Sequence, residues 1–271
     1  MSISKYLVNN AKEKYSFEDL VEIIKILRSP EGCPWDREQT HESIRKNFIE
    51  ETYEVIEAID NGDKQLLKEE LGDVLLQVLF HSSMESEQGV FDIYDVITGI
   101  CKKLILRHPH VFGDVEAKDS KQVLTNWDNI KKTEKNQKSD SEVLKSIPRN
   151  LPALMRAVKI QAKAAKTGFD WDNYKDAFKK IDEEKNELIK AINNNDKNNI
   201  EEEIGDLLFS VVNVCRFFDI EPEEALTKTN DKFVKRFTQL EKLAEEKGKK
   251  LNEMTLDEMD ELWDFVKDCN S

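Results

Sequence analysis

The stretch "EEIGDLLFSV" occupies residues 202–211, and "EELGDVLLQV" occupies residues 69–78. Each sets acids beside a run of apolar residues. Both keep Glu-Glu, then Gly-Asp, then a Leu two places after the Asp. Core packing alone does not require acids at repeated positions, so their recurrence points to a shared task.

The repeat extends outward from these stretches. Upstream lie "EETYE" (50–54) and "EEKNE" (183–187). Glu51 precedes Glu70 by the same interval that separates Glu184 from Glu203. An aromatic signal precedes each copy, "CPWD" at 33–36 and "GFDW" at 168–171, and a basic pair one helical turn apart follows, Lys103/Arg107 and Lys232/Arg236. These matched spacings predict an internal duplication. The polar stretch 131–150 is expected to link the copies, giving domains at 1–138 and 139–271. The second would open with a helix on which Leu151, Leu154, Val158 and Ala162 recur at helical spacing.

Within each copy the pattern predicts helix, short turn, helix, with turns at "DNGD" (60–63) and "NNNDKNN" (193–199). So short a connection makes the helices antiparallel. Ile204, Leu207, Leu208, Val211 and Val212 fall on one stripe and are expected to pack into a core. Residues three apart share a helix face. Glu184 and Asp206 are equidistant from residue 195, as are Glu187 and Glu203. Glu51 and Asp73, and Glu54 and Glu70, are equidistant from Gly62. Each copy can therefore turn four carboxylates toward one another. One like-charge pair on an exposed helix costs only ~0.2–0.5 kcal/mol, but four beside an apolar core cost several times more. A hard divalent cation resolves the conflict, because Mg²⁺ takes carboxylate oxygens and keeps water or phosphate elsewhere. An EF-hand loop starting at Asp60 would need glycine where Gln65 stands. A di-iron bundle needs two Glu-x-x-His motifs, and only "EQTH" (38–41) fits.

Composition bounds the rest. The chain has 271 residues, 39% apolar and 35% charged, with only 9 Gly and 6 Pro, which favours helix. A net charge of −14 argues against a general grip on nucleic acid. No apolar run is long enough for a membrane span, and no secretory signal opens the sequence. Cys33, Cys101, Cys215 and Cys269 are scattered, which predicts reduced, mostly buried thiols in the cytoplasm. His41, His81, His108 and His110 form no zinc pattern.

The acidic motifs, with "GCPWDREQTHESI" (32–44), "LRHPHVFGD" (106–114) and "GFDW", resemble the MazG nucleoside triphosphate pyrophosphohydrolases from about residue 17 to 267. The resemblance implies an all-α fold of two tandem domains, with helical bundles completed in a homodimer. It implies Mg²⁺-dependent hydrolysis of NTPs to NMP and pyrophosphate, with Mn²⁺ as a possible substitute. Carried over by motif, Glu184, Glu187, Glu203 and Asp206 hold the metal, with Glu51, Glu54, Glu70 and Asp73 as a second set. Lys232 and Arg236 would hold phosphate. Asn199, Ile200, Glu201, Glu202, Phe233 and Trp263 fall where the family contacts nucleotide. Water would attack the α-phosphorus, with Glu183 a candidate base. Trp171 is expected in a core. The second copy is expected to be the active one, with Asn213 reaching the nucleotide where the first copy has Phe80 beside His81. The rival reading is a non-catalytic helical interaction module with a structural metal clamp, against which the basic pair counts.

Overall fold

The structure, a computed structural model, describes residues 12–134 and 139–269. The described residues form helices and connections, with no strand among them. The chain divides into two compact units between Ile130 and Lys131. The boundary expected near residue 138 lies outside the described residues. The stretch read as a linker is not simply extended. One helix runs to Glu134, another spans Asp140–Lys145, and Ile147 is buried.

The first unit opens with α1 (Phe17–Arg28), started by a Ser16 capping box, and the short α2 (Pro34–Glu38). Then come α3 (His41–Asp60) and α4 (Lys64–Glu87), the unit's most extensively packed pair. α5 (Ile93–Arg107), α6 (Pro109–Phe112) and α7 (Ser120–Glu134) follow. Its core joins Val21 and Ile24 of α1 to Ile44 of α3, Leu79, Phe80 and Met84 of α4, and Ile93 of α5.

The second unit carries α8 (Asp140–Lys145) and α9 (Ala153–Ala165), then the tightly packed pair α10 (Tyr174–Asn193) and α11 (Lys197–Phe217). α12 (Pro222–Glu246) packs mainly on α13 (Leu256–Cys269) and also on α9. Leu240, Ala244, Leu262 and Val266 form that seam.

The two central hairpins are built alike, down to the caps. Thr40 and Asn173 cap the first helices, and Asp63 and Asp196 cap the second, each accepting from backbone N–H groups that the helix cannot satisfy itself. In each turn the middle residue is left-handed, Gly62 at φ 66° and Asn195 at φ 53°. Those are the two residues about which the acids are symmetric in sequence. The next N–H closes the turn by donating back to a buried alanine carbonyl: Asp63 to Ala58, and Asp196 to Ala191. A methyl group at Ala58 or Ala191 is what lets the helices approach there. The second turn is shorter than expected, since Lys197 already belongs to α11.

One expectation fails. Of the apolar stripe on α11, only Val212 is buried, while Ile204 is 45% and Leu208 52% exposed, with Val211 also exposed. α10 and α9 cover one side of α11 and leave this side uncovered. The matching positions in the first hairpin, Leu71 and Leu75, are exposed too, as are Ile56 and Ile59 opposite Ile189 and Ile192. The cysteines also differ from expectation. Cys33 and Cys215 are half-buried and Cys101 is exposed, because α5 carries an uncovered face that includes Ile100 and Leu104.

Candidate active site

Helical spacing and the closed turns bring acids from both helices of each hairpin together. In the second unit Glu184, Glu187 and Glu203 each offer an oxygen within 4.8 Å of the others. In the first unit the group is Glu51, Glu70 and Asp73. The fourth member of each set stands alongside. Asp206 presses its charge on Glu203, and Glu54 lies against Glu51 and Glu70.

Each cluster has one buried member. Glu184 is 4% exposed and Glu70 8%. Burial pushes the Glu203 carboxyl above its ordinary value, and the charges of Glu187, Glu184 and Asp206 push it further. Burial does the same to Glu51, helped by Asp73 and Glu54, and to Glu70, helped by Glu54 and Asp73. Each site therefore strains against its own charge.

The units differ at the position one turn before these acids. Lys180, one turn before Glu184, places its ammonium 2.6 Å from Glu184 and 2.8 Å from Glu183. These two carboxylates hold the Lys180 pKa well above its usual value, Glu183 first. The corresponding residue before Glu51 is Asn47, which carries no charge. Lys180 is a residue the sequence reading missed. The signal was present as a Lys-Glu pair at i, i+4, a spacing common enough on helices to pass unnoticed.

The other expected residues are placed as follows. Asn199, Ile200, Glu201 and Glu202 lie in the first turns of α11, where Asp196 caps the Asn199 N–H. Lys232 and Arg236 sit one turn apart on α12, whose main packing is against α13 and α9 rather than the acidic hairpin. Phe233 and Trp263 bring their rings to 5.1 Å, and Trp263 packs on the α12–α13 seam. Glu183 accepts from Lys180, so its carboxylate is already engaged.

Two expectations need correction. Asn213 is 5% exposed and its carbonyl oxygen accepts from Arg216 at 2.9 Å, while Arg216 also binds Asp170 of the "GFDW" segment. Through that oxygen it helps tie a loop to α11. Its counterpart Phe80 is a core residue of the first unit, packed with Leu79 and Met84. Trp171 is partly exposed, and Phe169 beside it is 83% exposed, because the loop that carries them lies on the surface.

An all-helical chain with a duplicated hairpin, each copy bringing three carboxylates together, belongs to the class of helical proteins built on repeated acidic hairpins. The MazG nucleotide pyrophosphohydrolase domain matches residues 39–112 and again 173–240, covering both hairpins. The chain is 49% identical to the nucleoside triphosphate pyrophosphohydrolase/pyrophosphatase MazG of Thermotoga maritima, over 93% of this chain and 95% of that one. It is 44% identical to the nucleoside triphosphate pyrophosphohydrolase of Escherichia coli, over 92% and 95%. It is 50% identical to the uncharacterized protein YabN of Bacillus subtilis, over 94% of this chain but 52% of that one. The chain belongs to the MazG family.

Proposed function

We propose that this chain hydrolyses nucleoside triphosphates to the monophosphate and pyrophosphate, and that the second unit carries the chemistry. The observation that supports it most is the convergence of Glu184, Glu187 and Glu203 within 4.8 Å, with Lys180 against them. An acid group of this kind fits a hard cation. All its donors are oxygens, and burial together with mutual repulsion leaves a negative charge that a divalent ion would relieve. Glu184, Glu187, Glu203 and Asp206 would hold Mg²⁺, with Mn²⁺ as a substitute. The equivalent set in the first unit is Glu51, Glu54, Glu70 and Asp73. When bound, the ion would polarise a phosphoryl oxygen and lower the pKa of a bound water.

The chain's own residues supply the rest. Water attacks the α-phosphorus and the α–β anhydride bond breaks, releasing pyrophosphate. Lys180 is the cation already beside the carboxylates, and it would neutralise phosphate charge that develops there. Lys232 and Arg236 would hold the pyrophosphate end, Arg236 through a bidentate contact. Phe233 and Trp263, with rings in contact, would offer the base an aromatic surface. Residues 199–202 would line the mouth of the site.

A homodimer is part of this reading. Ile189, Ile192, Ile204 and Leu208 form an exposed apolar stripe along the hairpin, repeated in the first unit. A second copy of the chain covering those stripes would complete each helical bundle. No helix among the described residues is long and apolar enough to cross a membrane. Cys33, Cys101 and Cys215 are free thiols, in keeping with the cytoplasmic setting of this reading.

The test is pyrophosphate release from each NTP and dNTP with Mg²⁺, comparing the natural chain with Glu203→Gln. Hydrolysis by the natural chain and its loss in a folded Glu203→Gln protein are expected. Near-natural turnover in that variant would remove the metal role.

A further inference from the structure

A second titratable cluster lies in the first unit, away from the carboxylates. His41, the first residue of α3, and His81, on α4, bring their Nδ1 atoms to 2.6 Å. The ring planes agree within 4° and the centroids are 4.9 Å apart. Stacked rings cannot bring two ring atoms closer than about 3.4 Å, the thickness of a π system, because of their van der Waals contact. The rings therefore lie edge to edge in nearly one plane, joined nitrogen to nitrogen. Two bare nitrogen lone pairs at this distance would repel, so one proton lies between them. The other nitrogen of His41, Nε2, is 2.7 Å from Glu85 Oε1 and donates to it. No ion fits between the Nδ1 atoms as placed, since zinc needs about 2.0 Å to each nitrogen.

The second unit lacks this cluster as a set. The positions of His41, His81 and Glu85 in the repeat are Tyr174, Val214 and Phe218. There Tyr174 and Phe218 simply pack ring against ring at 5.3 Å. The same join between the start of the first helix and the far end of the second is apolar in one unit and proton-bearing in the other.

We infer that Glu85, His41 and His81 form a proton-held clasp that fastens the start of α3 to α4 and opens when both imidazoles become charged. The proton count fixes the behaviour. With both rings neutral, His41 carries its hydrogen on Nε2, toward Glu85, and His81 donates from Nδ1. With one added proton, a single hydrogen still lies between the two Nδ1 atoms and the bond between them survives. A second added proton puts an N–H on both facing nitrogens, and the bond between them is lost. Burial, and then the charge of His41, holds His81 below its ordinary value. The folded chain therefore resists the last proton that the unfolded chain accepts, and the clasp is whole above the ordinary histidine range and fails as pH falls below it.

The surrounding charges do not replace it. On α3, Glu42 and Arg45 stand nearby. On α4, Glu87 is taken by Arg28 of α1, which also donates to the carbonyls of Asp36 and Gln39. Lys25 of α1 and Asp92, the cap of α5, line a cavity with Ser82 and Ser86, and Asp95 caps its own helix. Phe48 closes the apolar side of His81. The carboxylates at Glu51 and Glu70 respond to acid in the opposite sense, so the reading must be local.

The full chain supplies the test. Imidazole nitrogens are followed by NMR from about pH 8 to about pH 5, and amide exchange is measured in the first turns of α3 and α10, corrected for intrinsic rate. The expected result is that His81 takes its proton below the ordinary value near 6.5. Once His81 is charged, the first turn of α3 should lose protection about tenfold or more, while that of α10 does not. His81→Val, the residue of the second copy, should remove the acid-dependent opening. If that variant does not fold, the natural chain's titration decides alone. Titration of His81 at its ordinary value, or protection in α3 that survives its protonation, would overturn the clasp.

Discussion

Lys180 is the residue that distinguishes two otherwise matching acid sets. Replacing it with Met leaves Glu184, nearly buried, without its nearest cation. The loss of a charged partner typically costs ~1–3 kcal/mol, and Lys180 itself is one-third exposed, which favours the low end. Turnover should fall by about tenfold or more if the ammonium meets phosphate, while circular dichroism shows an intact fold. Arg236→Ala should lower turnover or nucleotide affinity and leave Mg²⁺ binding to the free protein unchanged, as isothermal titration would report. Equal losses of both would assign Arg236 to the metal instead. The Glu203 carboxyl, raised above its ordinary value, gives a pH prediction for the metal-free second unit. Between the ordinary and the folded value the folded state holds more protons than the unfolded one. Stability should therefore rise as pH falls from neutral toward that range, and exchange protection in α10 and α11 in a chelator should show it. A fall over the same range would contradict the crowding of acids at Glu203.

At the level of elements, the hairpins were the most legible part of the sequence. Periodicity, cap residues and turn formers agree there, and the acids are symmetric about residues that are the left-handed points of the turns. Which side of α11 stays uncovered was not legible, because an apolar stripe reads the same whether its partner is in the chain or elsewhere. Asn213 was misread for a related reason. Its partner Arg216 is local, but the Asp170 that completes the network comes from a loop before the hairpin, and no spacing rule connects them. The turns offer a direct check. Gly62→Ala meets no neighbouring atom, so its cost is the left-handed backbone alone, about 1 kcal/mol. Asn195→Gly should relieve part of that same cost in the second unit. Urea midpoints should move down for the first and up for the second.

For the whole molecule, the repeated stripe and the repeated acid set carry separate predictions. Leu208→Glu puts a charge in the middle of the uncovered face. If a second copy covers that face, sedimentation should show the variant dissociating at concentrations where the natural chain stays associated. An unchanged mass would mean the stripe has another use. The units should also be unequal in chemistry, because Lys180 stands against one set of carboxylates where the other has Asn47. Glu203→Gln should remove most hydrolysis, and Glu70→Gln, assayed across the same ribo- and deoxyribonucleotides, should retain most of it. The opposite outcome would transfer the activity to the first unit.

The likeness of the two hairpins has a cost during refolding. Same-length leading helices, the same buried alanine under the turn and the same apolar stripe mean that neither hairpin's surface rejects the other's partner. A chain emerging from denaturant can pair a helix with its look-alike and stall in a compact, mismatched state. Besides Lys180 against Asn47 and Asn213 against Phe80, the discriminators on these helices are the proton-linked imidazoles of one and the aromatic pair of the other. Their second service would be as registration marks, and exchanging Tyr174 and Phe218 for His and Glu should lower the yield of correctly refolded chain even where the finished fold tolerates the change.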